Sequence, residues 1–120
     1  MLPLILMIML SAAPSDKDAN AAAMYIQSYV TPALLGVCKV SSPEMAAEFD
    51  AALARWQETN KIAVARGEVV LREQAKLEGT DLDKFNFEQR KSMVERLKAM
   101  PVSEQRESCA DILELIRDES

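Results

Sequence analysis

The sequence predicts an all-α protein, a small up-down antiparallel bundle of about four helices with one disulfide. Only 3 of its 120 residues are glycine, and long stretches consist of Ala, Glu, Leu, Arg, Lys and Gln, which lose little on entering a helix. Apolar side chains recur every three or four residues within four segments. The 2 cysteines, Cys38 and Cys109, lie in the first and the last of these segments.

The first helix is expected from about residue 18 to about residue 37. Its apolar face is formed by Ile26, Val30, Leu34 and Val37. Pro32 interrupts this segment, and proline removes one backbone hydrogen bond and clashes with the preceding turn. A kink near Tyr29 or a restart at Thr31 is therefore expected.

The second helix has a clear start signal, with Ser42 as the capping residue and Pro43 at the first helical position. Gly79 suits a left-handed cap at its end. A straight helix over 43–78 would be about 54 Å long, at 1.5 Å per residue, and would extend beyond its partners. A long helical hairpin with a small helical cap is therefore the alternative fold.

The apolar stripe of the second helix changes along its length. Phe49, Leu53 and Trp56 form it in the first half, but the apolar residues after Asn60 fall off it. We therefore expect the core face to rotate, or the helix to bend near Asn60 or Gly67.

The third and fourth helices are shorter. The third is expected from about residue 87 to about residue 100, with Pro101 ending it. Its apolar face carries Met93, Leu97 and Met100. Ser103 is expected to cap the fourth, over 104–118, which has an apolar face of Cys109, Ile112, Leu113 and Ile116.

Alternating helix directions place Cys38 and Cys109 toward the same end of the bundle, on neighbouring helices. A disulfide between them is expected, and two reduced thiols or a bridge between chains are the alternatives. Because the cysteines are 109 − 38 = 71 positions apart, loop closure predicts a stabilisation of about 4 kcal/mol.

The N-terminus predicts export. Met1 to Leu10 reads MLPLILMIML, which matches the apolar core of a signal peptide and is too short to span a bilayer comfortably. A cut after Ala13 would leave Pro14 beside the cleaved bond, whereas Ala21 ends a better small-residue site farther along. We expect a signal peptide over 1–21, a single helical domain over 22–120, and a periplasmic or secreted protein. A buried first helix is the alternative.

Composition excludes most familiar catalytic chemistry. The chain has no histidine, which removes Ser-His-Asp systems, histidine-ligated zinc and haem attachment motifs. The glycines are isolated, so a phosphate-binding loop is absent from the sequence. Two carboxylate pairs at helical spacing, Glu44 with Glu48 and Glu107 with Asp111, are expected to be solvated. Met93 and Met100, also at helical spacing, are expected to fill the core. We expect no enzyme, no metal site and no cofactor.

The net charge of −5 and a pI of about 4.8 disfavour nucleic acid and anionic membranes, which attract Lys and Arg. No stable membrane anchor is expected after signal cleavage.

Trp56 is expected to be a core anchor, with an exposed interface residue as the alternative. With these functions disfavoured, protein–protein interaction is the expected function. The specific hypothesis is an inhibitor or immunity protein of an envelope enzyme or toxin. An envelope stress chaperone and a small-ligand-binding bundle are the alternatives, and the partner and oligomeric state stay open.

Overall fold

The computed structural model describes residues 16–120, which form four α-helices and contain no strand. The helices are α1 (Asp16–Ser41), α2 (Ala46–Glu78), α3 (Leu82–Lys98) and α4 (Val102–Asp118), with a short 3-10 helix (Pro43–Met45) between α1 and α2. A disulfide joins Cys38 to Cys109, and their Cα atoms are 5.6 Å apart. The predicted all-α bundle and its disulfide are confirmed.

The helices alternate in direction. Asp50, near the start of α2, pairs with Lys39 near the end of α1, and Gly67 lies against Ala21 near the opposite end. Asn86 of α3 bonds to Tyr25 in the first half of α1, so α3 runs in the direction of α1. α4 then returns from the disulfide toward the middle of α2.

Two apolar cores fill the bundle. The main core surrounds the disulfide and contains Val30, Leu34, Leu35, Cys38, Phe49, Ala52, Trp56, Leu97, Cys109, Leu113 and Ile116. The second core lies at the other end and contains Ala22, Tyr25, Leu71, Ala75 and Leu82. α1 and α2 contribute to both cores, whereas α4 contributes only to the main core and α3 to both through its two ends. The α1/α2 hairpin is therefore the frame on which α3 and α4 pack.

α2 is one continuous helix of 33 residues, and its buried face rotates along its length, as expected. Burial passes from Phe49 and Trp56 to Gly67, Leu71 and Ala75. The helix is not interrupted at Asn60 or at Gly67, the two positions near which a bend was the expected alternative. Gly67 instead lets the backbone of α1 approach, since a Cβ atom there would lie 2.0 Å from the carbonyl oxygen of Ala21.

Three predicted helix starts differ from the structure, in addition to the start of α3. α1 continues through Pro32 to Ser41. Of the two outcomes expected at this proline, a kink near Tyr29 or a restart at Thr31, the restart does not occur. Ser42 precedes the 3-10 helix but makes no capping bond with its side chain, because its buried position follows directly on the end of α1. α4 begins at Val102, after Pro101, so Ser103 lies inside the first turn instead of capping it.

The loop between α2 and α3 contains the two best-defined caps. Gly79 adopts a left-handed conformation with φ 68°, as expected. α3 then begins five residues earlier than predicted (87 − 82 = 5), because the side chain of Asp81 accepts a hydrogen bond from the Lys84 amide at 3.1 Å.

The apolar segment Met1–Leu10 and the candidate cut after Ala13 lie outside the described residues. The candidate cut after Ala21 falls inside α1, where Ala21 and Ala22 are both buried. Lys17–Ser41 is long and apolar enough to cross a membrane by length and composition alone. In this bundle the same segment is the helix on which the other three pack.

Candidate functional site

An apolar groove runs along the outward face of α1, between α3 and α4. α3 and α4 touch each other little, so the face of α1 between them is left open. The main recess of the groove has a volume of about 360 Å³. It is lined by Ala23, Ile26, Gln27, Val30, Thr31, Leu34, Met93, Ile112, Leu115 and Ile116.

A second recess of about 210 Å³ continues from the first toward the disulfide end. The two share Leu34, Met93 and Ile112. The second recess adds Arg96, Leu97, Met100 and Ser108 to the lining. Because the recesses share walls, they form one continuous surface, which we name the α1 groove.

The α1 groove leaves large apolar side chains in contact with water. Leu115 is 50% exposed and Met93 is 37% exposed. Sequence patterning placed Met93 on the core face of α3 and did not single out Leu115. The signal for Leu115 is its position three residues after Ile112, which widens the apolar stripe of α4 beyond what the core needs.

Charge is distributed unequally on α4. Its two arginines turn away from the groove. Arg106 pairs with Glu44 of the 3-10 helix at 2.6 Å, and Arg117 pairs with Glu48 of α2 at 3.1 Å. The five carboxylates of α4 make no ion pair with the described residues: Glu104, Glu107, Asp111, Glu114 and Asp118. The outer surface of α4 is therefore acidic and uncompensated.

Three of these carboxylates follow the edge of the α1 groove. Glu104, Asp111 and Asp118 are seven residues apart and so lie on one side of the helix. Asp111 and Asp118 flank Leu115 by four and three residues, which places them beside this groove residue. We name these three residues the acid row. On the opposite wall of the groove, α3 contributes the exposed Arg96.

Glu119 closes the end of the groove that is farthest from the disulfide. Its Oε1 accepts hydrogen bonds from Gln27 at 2.5 Å and from the indole nitrogen of Trp56 at 3.0 Å. Asn60 donates to the backbone oxygen of Glu119 at 3.1 Å. These bonds hold the C-terminus of α4 against α1 and α2. Asn60 is therefore a polar residue with a defined hydrogen-bond partner on another element.

Trp56 is 0% exposed, which agrees with its prediction as a core anchor. The alternative, an exposed interface residue, is corrected: the ring packs in the main core and has no exposed surface in the folded chain. Its one polar atom is paired with Glu119, so the indole is satisfied without a partner protein.

A buried polar pair lies in the second core. The side-chain amide of Asn86 donates to the Tyr25 hydroxyl at 2.8 Å. The pKa of Tyr25 is raised, mainly by burial and secondly by the negative charge of Glu68. The pair joins α1 to α3 within the second core.

The described residues provide little for catalysis or metal binding. No group of three His, Cys, Asp or Glu side chains among residues 16–120 could hold a metal ion. A recess of about 500 Å³ between α2 and the end of α4 has the exposed Glu48–Arg117 pair on its wall. None of the carboxylates lining the described recesses is buried, so none of them has the apolar surroundings that are typical of a catalytic acid.

Comparison with known proteins found no match. No family model fits the chain, and no curated protein or solved structure resembles it significantly.

Proposed function

We propose that this is an exported protein that acts by protein–protein interaction, and that the α1 groove holds one α-helix of its partner. Export is supported by the apolar N-terminal segment and by the disulfide, since disulfides persist in oxidising compartments. The observation that carries the proposal is the α1 groove itself, a continuous apolar surface with exposed Met93 and Leu115.

The shape of the groove favours a helix over a small ligand. Its floor on α1 extends from Ala23 to Leu34, about 16 Å at 1.5 Å per residue, which equals about three turns of a docked helix. The groove is open along this length, so it offers recesses for side chains projecting from one helix face. A small apolar ligand would gain more from an enclosed cavity that buries most of its surface.

The charge of the groove favours a basic partner. The acid row follows one edge, and the whole protein has a net charge of −5. A basic envelope enzyme or toxin would be attracted to this surface. We therefore propose a dedicated inhibitor or immunity protein, whose partner inserts a helix into the groove.

A chaperone is the second candidate, and one observation favours it. Met93 and Met100 both line the groove, and methionine side chains adapt to differently shaped apolar partners. A chaperone would bind many clients weakly, whereas an inhibitor would bind one partner in a fixed molar ratio. Stoichiometry therefore distinguishes the two.

The test uses the tagged exported protein, purified with its bound proteins from the envelope fraction of its own host. A groove variant, Met93→Gln with Leu115→Gln, is compared with a control variant, Val102→Gln with Ile62→Gln. The control residues are 64% and 80% exposed and do not line the groove. Each pair exchanges two exposed apolar side chains for neutral polar ones, so net charge is unchanged.

The inhibitor proposal expects one partner in a fixed molar ratio with the wild type and the control, and its loss with the groove variant. Binding is then repeated with the purified partner, where the groove variant should raise the Kd by about tenfold or more, equivalent to about 1.4 kcal/mol. Equal Kd values for the two variants would reject the groove as the docking site. Many clients in low molar amounts, reduced by the groove variant, would instead identify the chaperone.

A further inference from the structure

We infer that the partner helix is cationic and amphipathic, with Lys or Arg on the flank that faces the acid row and a carboxylate on the flank that faces Arg96. This inference rests on the proposed function and specifies which kind of helix the α1 groove accepts. It is carried by the arrangement of charge along the two walls of the groove.

The acid row has the repeat of a docked helix. Its carboxylates are seven residues apart, which corresponds to about 10 Å along α4 at 1.5 Å per residue. A partner helix lying alongside α4 presents its own residues on one flank at the same interval. Basic residues spaced by seven would therefore meet Glu104, Asp111 and Asp118 in turn.

These carboxylates make no ion pair within residues 16–120. Arg106 and Arg117 are the only basic residues of α4. Arg106 pairs with Glu44 of the 3-10 helix and Arg117 with Glu48 of α2. A neutral helix in the groove would bring apolar atoms beside three unpaired charges without compensating them. An anionic helix would add repulsion, so the row selects against it as well as selecting for a cationic one.

The two walls of the groove carry opposite charges, negative on α4 and positive on α3. Arg96 is exposed on the α3 wall near Met100 and makes no ion pair with the described residues. A carboxylate on the second flank of the partner helix would reach it, near the disulfide end of the groove. The two walls together therefore fix which flank of the partner helix faces α4.

Charges at the rim of an interface act mainly on the association rate and on its salt dependence. Exposed pairs are screened over about 10 Å at 0.1 M salt. We therefore expect the preference for a cationic helix to be strong at low salt and weaker at high salt. The apolar contacts with Met93 and Leu115 should be less sensitive to salt.

The test measures binding of three labelled synthetic peptides to the purified protein by fluorescence anisotropy, at low and at high salt. The peptides share one apolar stripe of leucines at helical spacing and a second flank of Glu, and they differ only in the first flank, which carries Lys, Gln or Glu. At low salt the Lys peptide is expected to bind at least about tenfold more tightly than the Gln peptide. The Glu peptide is expected to bind most weakly.

Two triple variants of the protein locate the source of this preference. The first neutralises the acid row with Glu104→Gln, Asp111→Asn and Asp118→Asn. The control changes net charge by the same amount with Glu58→Gln, Glu73→Gln and Glu88→Gln, none of which lines the groove. The row variant should remove most of the preference for the Lys peptide, and the control should retain it.

The outcomes separate this inference from the proposed function. Equal loss with both triple variants, or equal binding of the three peptides, would overturn the cationic assignment while leaving groove docking in place. Peptide binding that is unaffected by Met93→Gln with Leu115→Gln would instead overturn docking in the groove. A preference that survives in the row variant would also contradict the role of these three carboxylates.

Discussion

The indole nitrogen of Trp56 donates a hydrogen bond to Glu119 Oε1 at 3.0 Å, and so joins the middle of α2 to the penultimate residue of the chain. Gln27 of α1 donates to the same carboxylate oxygen at 2.5 Å. One carboxylate therefore holds three helices at the point where α4 ends. The disulfide holds the opposite part of α4, so the helix that forms one wall of the groove is fixed at two places.

Glu119→Ala should destabilise the fold. It removes the acceptor of a fully buried indole N–H and of Gln27, and an unsatisfied buried donor costs about 1 to 3 kcal/mol. Urea unfolding followed by Trp56 fluorescence measures the change. The control is Glu114→Ala, which removes an exposed carboxylate of the same helix and should change stability by about 0.5 kcal/mol or less. Equal midpoints for the two variants would show that the Trp56–Glu119 bond does not contribute.

Gly67→Ala should also destabilise the protein, although alanine usually stabilises a helix relative to glycine by about 1 kcal/mol. A Cβ atom at residue 67 would lie 2.0 Å from the backbone oxygen of Ala21, and a backbone atom cannot move aside as a flexible side chain does. We expect a loss of about 1 to 3 kcal/mol, typical of overpacking.

Gly36 provides the matched control for this change. It also lies inside a helix, but a Cβ atom there meets nothing within 4 Å. Gly36→Ala should therefore raise the thermal midpoint, with a stabilisation of about 0.5 to 1 kcal/mol. The two substitutions are chemically identical and are expected to have opposite signs. A shift of the same sign in both would contradict the close approach of α1 and α2.

Removing the disulfide should cost a large part of the stability. Cys38 and Cys109 enclose a sequence separation of 71 residues, for which the loop-entropy relation gives about 4 kcal/mol. The double variant Cys38→Ala with Cys109→Ala should unfold at a much lower urea concentration than the oxidised protein. Reduction of the wild type during the same titration should produce a similar shift. A wild type that is insensitive to reductant would argue against the bond.

The helices and the disulfide could be predicted because each depends on a local signal or on a single pair of residues. Apolar spacing marked all four helices, and Gly79 marked the end of α2. The start of α3 was predicted too late because the capping signal of Asp81 was not used, although an aspartate is a good capping residue. The restart at Thr31 failed because the packing of α1 against three helices outweighs the effect of Pro32.

The groove could not be predicted from the sequence because it depends on how far apart α3 and α4 lie on α1. Met93 and Leu115 belong to apolar stripes that would be equally consistent with full burial. Their exposure follows from the tertiary arrangement, in which α3 and α4 touch little. The bond between Trp56 and Glu119 could not be predicted from the sequence either, because it joins residues 63 positions apart through one side-chain atom each.

Alkaline pH should weaken the fold through Tyr25. Burial and the charge of Glu68 raise its pKa in the folded state, so the unfolded chain releases this proton first as the pH rises above about 10. Stability from this residue is therefore complete below that pH and declines above it. Tyr25→Phe should flatten the decline between about pH 9 and about pH 11 in urea titrations, although it also loses the bond to Asn86.

A second variant tests the cause of that raised pKa. Glu68→Gln removes the negative charge, so Tyr25 should release its proton at a lower pH, as followed by the absorbance of tyrosinate. Glu58→Gln, which changes a carboxylate in the first half of α2, is the control and should leave the titration unchanged. A Tyr25 titration that is identical in the two variants would show that the charge of Glu68 does not contribute to the raised pKa.

The first turns of α1 should contribute to stability, which bears on where an export signal is cut. Ala21 is buried, its backbone contacts Gly67, and Asp18 pairs with Arg66 at 2.6 Å. A chain that begins at Ala22 loses these contacts, and we expect it to be less stable than a chain that begins at Asp16 by about 1 to 3 kcal/mol. Thermal unfolding of the two purified chains measures this difference. Asp18→Ala in the longer chain removes the Asp18–Arg66 ion pair but leaves Ala21 in place, and it should cost less than about 1 kcal/mol. A larger loss in the shorter chain therefore reports the packing of Ala21. The mass of the protein recovered from the envelope then tests where the signal is cut. We expect the mature chain to retain Asp18 and Ala21, because a cut after Ala21 would remove residues that support the second core. A mature chain that starts at Ala22 and is equally stable would contradict this prediction.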